Sequence, residues 1–300
     1  MAELNQRQRE MMHDSLVTLK ESVKDFSSSR SDKTSATVVY SWGAGYSGQL
    51  GIELKRGTPK SRMSPYAVVF PDNVSICQVA CGASHTACLT ESGQLYTWGN
   101  GARGQLGLIL GNIKTSPLPV KVDTFPPGTP IITQISCGDN HTVVVDVTGA
   151  LWTWGHGSSG QLGLWGHSNQ VTPQRIQVPG VAFKQAVAGA SHTAALSRPG
   201  YVYTWGLAEH GQLGHGESGP GVHLVKPKMV EALKNDAITD IYCGATATAA
   251  ITMDGDLLMW GFGEHFFPSK ITPAPPAAGR RATQTPLSIF RSCFPILNIH

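Results

Sequence analysis

The stretch Trp98-Gly99-Asn100-Gly101-Ala102-Arg103-Gly104-Gln105-Leu106-Gly107 decides the fold. It reads as a strand end running into a glycine-hinged loop, and it is one copy of several. Trp42-Gly43 leads to Gly48-Gln49-Leu50-Gly51, Trp154-Gly155 to Gly160-Gln161-Leu162-Gly163, and Trp205-Gly206 to Gly211-Gln212-Leu213-Gly214. Trp260-Gly261 opens a fifth copy that does not reach a Gly-Gln-Leu-Gly. The tryptophans stand 56, 56, 51 and 55 residues apart. A fixed period of this length marks a repeat architecture, so each residue is weighed against its counterparts.

Each copy divides into four short strands. The first ends in an aromatic pair, as in Tyr40-Ser41-Trp42 and Tyr96-Thr97-Trp98. The second is expected to begin near a proline with an apolar residue three later: Pro65 and Val68, Pro117 and Val120, Pro173 and Ile176, Pro227 and Val230. A strand start tolerates proline because no ladder donor is needed there. The third ends in Cys81-Gly82-Ala83-Ser84-His85-Thr86 and its counterparts at Cys137, Ala188 and Cys243, the last of which has Ala247 in place of the histidine. The fourth meets the next copy at a glycine turn: Glu91-Ser92-Gly93, Val147-Thr148-Gly149, Arg198-Pro199-Gly200 and Met253-Asp254-Gly255. These residue types suit tight hairpins. Four antiparallel strands per unit in sequential units predict an all-β protein, a β-propeller of four-stranded blades. Solenoid coils are usually shorter than this period.

The flanks differ. Residues 1–27 are expected to form an amphipathic helix, because Met12, Leu16, Leu19, Val23 and Phe26 share one stripe. Residues 28–37 read as a linker, 38–261 as the blades, and 262–300 as a divergent, Pro/Ala-rich, disordered tail. Such an ending suits a truncated isoform, or a gene model that runs off an exon, better than a native four-bladed ring.

Composition excludes several functions. Net charge is +3 with no long basic run, which argues against nucleic acid or chromatin as the partner. No apolar stretch approaches the roughly 18 to 20 residues of a membrane-spanning helix. The acidic N-terminal region lacks a secretory core, so the expected place is the cytoplasm, the nucleus or both, without secretion. Cys81, Cys137 and Cys243 share one slot with Ala188, which asks for a small buried side chain rather than a metal ligand.

The motifs that suggest chemistry dissolve on comparison. Gly43-x-Gly45-x-x-Gly48, Gly99-x-Gly101-x-x-Gly104 and Gly155-x-Gly157-x-x-Gly160 match a dinucleotide fingerprint, yet none opens a helix in a βαβ unit. No cofactor is expected, and the glycines are structural. Ser84-His85 and Ser191-His192 are adjacent on a strand and point to opposite faces, so neither is a nucleophile–base pair. No enzyme constellation remains. His85, His141 and His192 recur at one position, which fits a partly buried imidazole satisfied by backbone near a blade end.

Trp-Gly-x-Gly-x-x-Gly-Gln-Leu-Gly, followed by Cys-Gly-x-x-His-Thr and a restart at the next Trp-Gly, resembles the repeat of the regulator of chromosome condensation family. The resemblance covers residues 38–261 in four full copies. It implies a seven-bladed propeller, of which this chain carries four complete blades and part of a fifth. It also implies a protein-binding scaffold or adaptor or, as the alternative, a guanine-nucleotide exchange factor for a Ran-type small GTPase. The partner-facing residues it implies are Asp139, His85, His141 and His192. Asp139 is the one charge in a slot that holds Ala83, Ala190 and Ala245 elsewhere. Trp42, Trp98, Trp154, Trp205 and Trp260, with Gly48, Gly104, Gly160 and Gly211, form the structural signature.

Overall fold

The computed structural model describes residues 37–53, 60–71, 74–111, 114–261 and 269–270. The expected N-terminal helix, most of the linker and nearly all of the tail lie outside them. The regular secondary structure described is β-strand apart from one 3-10 turn, Glu231–Leu233. The residues fall into two compact units. One takes the chain up to Thr148 with Trp152–His156 and Asn169–Arg175; the other takes Gly149–Leu151, Gly157–Ser168 and the chain from Ile176.

In the first unit, β1 (Tyr40–Ala44) and β2 (Ser61–Ala67) form a two-stranded sheet. β3 (Ile76–Cys81), β4 (His85–Thr90), β5 (Leu95–Asn100) and β6 (Thr115–Lys121) form a four-stranded antiparallel sheet in sequence order. The same meander recurs in β7 (Ile132–Cys137), β8 (His141–Asp146), β9 (Leu151–Gly155) and β10 (Gln170–Arg175). The second unit holds β11 (Phe183–Ala188), β12 (His192–Ser197), β13 (Val202–Leu207) and β14 (His223–Met229). Its other sheet is β15 (Ile238–Cys243), β16 (Ala247–Thr252), β17 (Leu257–Gly261) and β18 (Ser269–Lys270).

Two expectations need correction. Each sheet joins the last two strands of one copy to the first two of the next, so sheets are displaced by half a copy from the sequence unit. Thus Thr86 of one copy pairs with Trp98 of the following one. One consequence is that the last sheet runs beyond residue 261, since Met259 and Leu258 pair with Ser269 and Lys270. Nor do the prolines start strands. Pro117, Pro173 and Pro227 lie inside β6, β10 and β14, the outermost strands of their sheets, where the pairing register shifts. An edge strand with a broken ladder does not need the missing N–H.

The glycine turns appear as expected. Gly93 donates to Thr90 O at 2.9 Å with φ +76°, a conformation that favours glycine. The middle strands β4, β8 and β12 are buried at every position. Apolar clusters lie between successive sheets of a unit. Ala80, Ala87 and Leu95 pack with Ile135, Val144 and Trp154 in one unit. In the other, Ala194, Leu196 and Val202 pack with Ile241, Leu258 and Trp260.

Candidate functional site

The conserved spacing of the copies resolves into a joint between neighbouring sheets. The Gly-Gln-Leu-Gly loop lies between the last two strands of one sheet and presents a glutamine carbonyl to the next. Trp98 Nε1 donates to Gln49 O, and Trp154 Nε1 to Gln105 O, both at 2.9 Å. In the second unit, Trp205 donates to Gln161 O at 2.9 Å and Trp260 to Gln212 O at 3.0 Å. The threonine of Cys-Gly-x-x-His-Thr supplies each carbonyl's second donor. Thr86, Thr142, Thr193 and Thr248 reach the same four oxygens at 2.7–2.9 Å. Both lone pairs of a buried carbonyl are thereby used.

The loop's last glycine permits the approach. A Cβ on Gly107 would stand 2.9 Å from Trp154 Nε1, and one on Gly214 would stand 2.8 Å from Trp260 Nε1. Gly104, earlier in the loop, has no room for a Cβ because Gln170 O would be 2.4 Å away. These loops turn directly into the outer strand, not into a helix. Trp42 stands apart: it is half-buried and has no such carbonyl among the described residues.

The histidines belong to the same joint. His85, His141 and His192 are all fully buried. His85 Nε2 lies 3.0 Å from Thr142 Oγ1, and His192 Nε2 lies 3.0 Å from Thr248 Oγ1. Each threonine hydroxyl has already given its proton to a glutamine carbonyl, so Nε2–H donates and the Nε2 tautomer is assigned. The partner is a side chain of the following sheet, not the backbone expected from the sequence. Burial holds both imidazoles down at about 4, well below their ordinary range. At neutral pH they are uncharged and spent on structure.

Asp139 is different. It sits in the loop joining β7 to β8, half-buried, with no hydrogen-bond or ion-pair partner among the described residues. Desolvation raises its pKa. Asn140 beside it accepts from Gln105 Nε2 at 3.4 Å, and its carbonyl accepts from His156 N–H at 2.8 Å. Exposed Arg103, from the Gly-Gln-Leu-Gly loop, contacts the His156 ring at 2.5 Å. This rim combines a cation, an amide and an unpaired carboxylate, none repeated in the other copies. The other buried acid of the unit, Asp146, is spent locally, accepting from Trp152 Nε1 and Thr148.

One repeated contact has no counterpart in the sequence reading. Gln78 Nε2 donates to Ile135 O and its Oε1 accepts from Ile135 N–H, both at 3.0 Å. Gln185 does the same to Ile241, also at 3.0 Å. The signal was available: glutamine stands three residues before the Cys/Ala slot at Gln78, Gln134 and Gln185. The slot itself holds half-buried to buried thiols, with burial pushing Cys81 up to about 11. Among the described residues, no three His, Cys, Asp or Glu converge as metal ligands, and no helix is long and apolar enough to cross a membrane.

Successive four-stranded antiparallel sheets locked by a repeated loop are the blades of the β-propeller class. The model of the RCC1-like domain matches residues 9–270, and the chain belongs to that family. It is 35% identical over 233 residues to the ultraviolet-B receptor UVR8 of Arabidopsis thaliana, covering 77% of this chain and 50% of that protein. It is 36% identical over 230 residues to the human E3 ubiquitin-protein ligase HERC2, covering 76% of this chain and 4% of that protein. The chain therefore spans half or less of these relatives. Among solved structures, Prp20p of Saccharomyces cerevisiae superposes with a TM-score of 0.68 at 24% identity, over 79% of this chain and 62% of that one. At that identity the likeness concerns the fold. Prp20p is described with binding properties to Gsp1p and histones.

Proposed function

We propose that this chain is a protein-interaction propeller, a scaffold or adaptor whose partner is engaged by the rim around Asp139. One observation carries the reading: the repeated polar groups are consumed in joints between sheets, whereas Asp139 is a desolvated carboxylate without a partner among the described residues. An unpaired, half-buried acid is a ready acceptor for a partner's Arg or Lys. His85, His141 and His192 contribute indirectly, by fixing the strand ends that hold this loop and its counterparts. Function resides where copies differ, because a residue common to every copy is serving every joint.

The second reading is a guanine-nucleotide exchange factor for a Ran-type GTPase, favoured by the place of Asp139 on the histidine-bearing loop. Such a protein needs only to bind the nucleotide-free GTPase more tightly than the GDP form. Titrating the chain into a Ran-type GTPase, while following both association and GDP release, separates the readings. Association without faster release supports the scaffold; acceleration at micromolar protein supports exchange. In either case Asp139→Ala weakens association by about tenfold. An unchanged affinity removes Asp139 from the interface.

A further inference from the structure

Trp165 is the only non-glycine residue with positive φ, +65°, among those described. It follows Gly160-Gln161-Leu162-Gly163 by two residues, in the loop before β10. Its backbone N–H donates to Val225 O of β14 at 2.9 Å, so the turn covers the edge of that strand. Any residue supplies an N–H, and glycine would supply it without the left-handed penalty of a Cβ. The next copy has Gly216, at φ +79°, in the equivalent place. The strain at residue 165 therefore keeps an indole, not a hydrogen bond.

That indole contributes little to the core, being 66% exposed. Lys226 Nζ lies 4.5 Å from its ring centre, and Lys226 has no acidic partner among the described residues. Beside them, the His167 and His223 rings meet edge-on with centroids 4.6 Å apart. Both are exposed, as is Lys228 on the same edge strand. An exposed aromatic held rigid under a cation free of acids is the anchor of an interface rather than a packing residue.

We infer that Trp165 and Lys226 form a docking point for an acidic segment of a protein partner. A carboxylate of that segment pairs with Lys226, and an apolar or aromatic neighbour stacks on Trp165. Charge complementarity selects this occupant: the patch offers cations without nearby ion pairing, while the basic groups are too few for the several phosphate contacts that hold nucleic acid. The inference goes beyond the Asp139 reading and rests on different residues.

The test is fluorescence anisotropy with a labelled random copolymer of glutamate and tyrosine, titrated with the full chain at low salt. Trp165→Gly and Lys226→Glu are each expected to weaken binding about tenfold. Trp165→Gly should melt no lower than the parent, since it relieves strain and keeps the N–H. Asp139→Ala should bind as the parent does, which separates failure here from failure of the Asp139 reading. Should Trp165→Gly not fold, Lys226→Glu carries the result. Absence of binding by the parent chain, or equal binding by the variants, overturns the proposal. So does tighter binding of a labelled oligothymidine that depends on the same two residues.

Discussion

A carbonyl oxygen at Gln49, Gln105, Gln161 or Gln212 accepts one indole N–H and one threonine hydroxyl, and two of those threonines, Thr142 and Thr248, also accept from His85 and His192. This chain of donors needs only Nε2–H, whereas a second proton on Nδ1 would bury a charge and a donor with no acceptor among the described residues. Protonation is therefore costly, and its sign can be worked out. His85 and His192 titrate at about 4 when folded, against roughly 6.5 when unfolded. The unfolded chain takes up protons first as pH falls, so their stabilisation is complete above pH 6.5 and is lost on the way to pH 4. About 3 kcal/mol per histidine is at stake over that window. Urea midpoints measured from pH 7.5 to 4.5 should fall steeply, and the His85→Ala/His192→Ala double variant should show a shallower slope. Equal slopes would remove these two groups as its cause.

At the scale of elements, the phase of the repeat was the hidden quantity. Any cyclic shift of a 50-odd-residue period gives the same period, so the copy boundaries at Trp-Gly did not reveal that sheets begin at the Cys-Gly-x-x-His-Thr hairpin. Trp98, Gly107 and Thr142 were legible as repeated residues, and the hairpin turns were legible by their glycines. Their shared acceptor was not, because it is a backbone atom. Nor was Thr142 as the partner of His85, since it stands on another sheet. Asp139 was visible as the charged exception in an alanine slot. Trp165 was equally visible against Gly216, but only the positive φ gives that difference meaning. The Gln78 and Gln185 bridges make a prediction of their own. Gln78→Ala would leave Ile135 N–H without its acceptor, while Ile135 O keeps Gln134 Nε2, costing about 1–3 kcal/mol in chemical unfolding. Gln134→Ala or Gln185→Ala can be measured alongside it.

For the molecule as a whole, the proposed division gives architecture to the repeat residues and recognition to the unrepeated ones. An RCC1-like propeller is an interaction and regulatory fold, and its sheets are joined by parts that recur. Thermal unfolding tests this division most directly. Thr142→Val removes the donor to Gln105 O and leaves His85 Nε2–H without an acceptor, a loss of about 2 kcal/mol or several degrees in Tm. Asp139→Ala and Trp165→Gly remove no hydrogen bond that the fold uses and should melt within about a degree of the parent or above it. A parent-like Tm for Thr142→Val, together with a marked drop for Asp139→Ala and Trp165→Gly, would contradict the account.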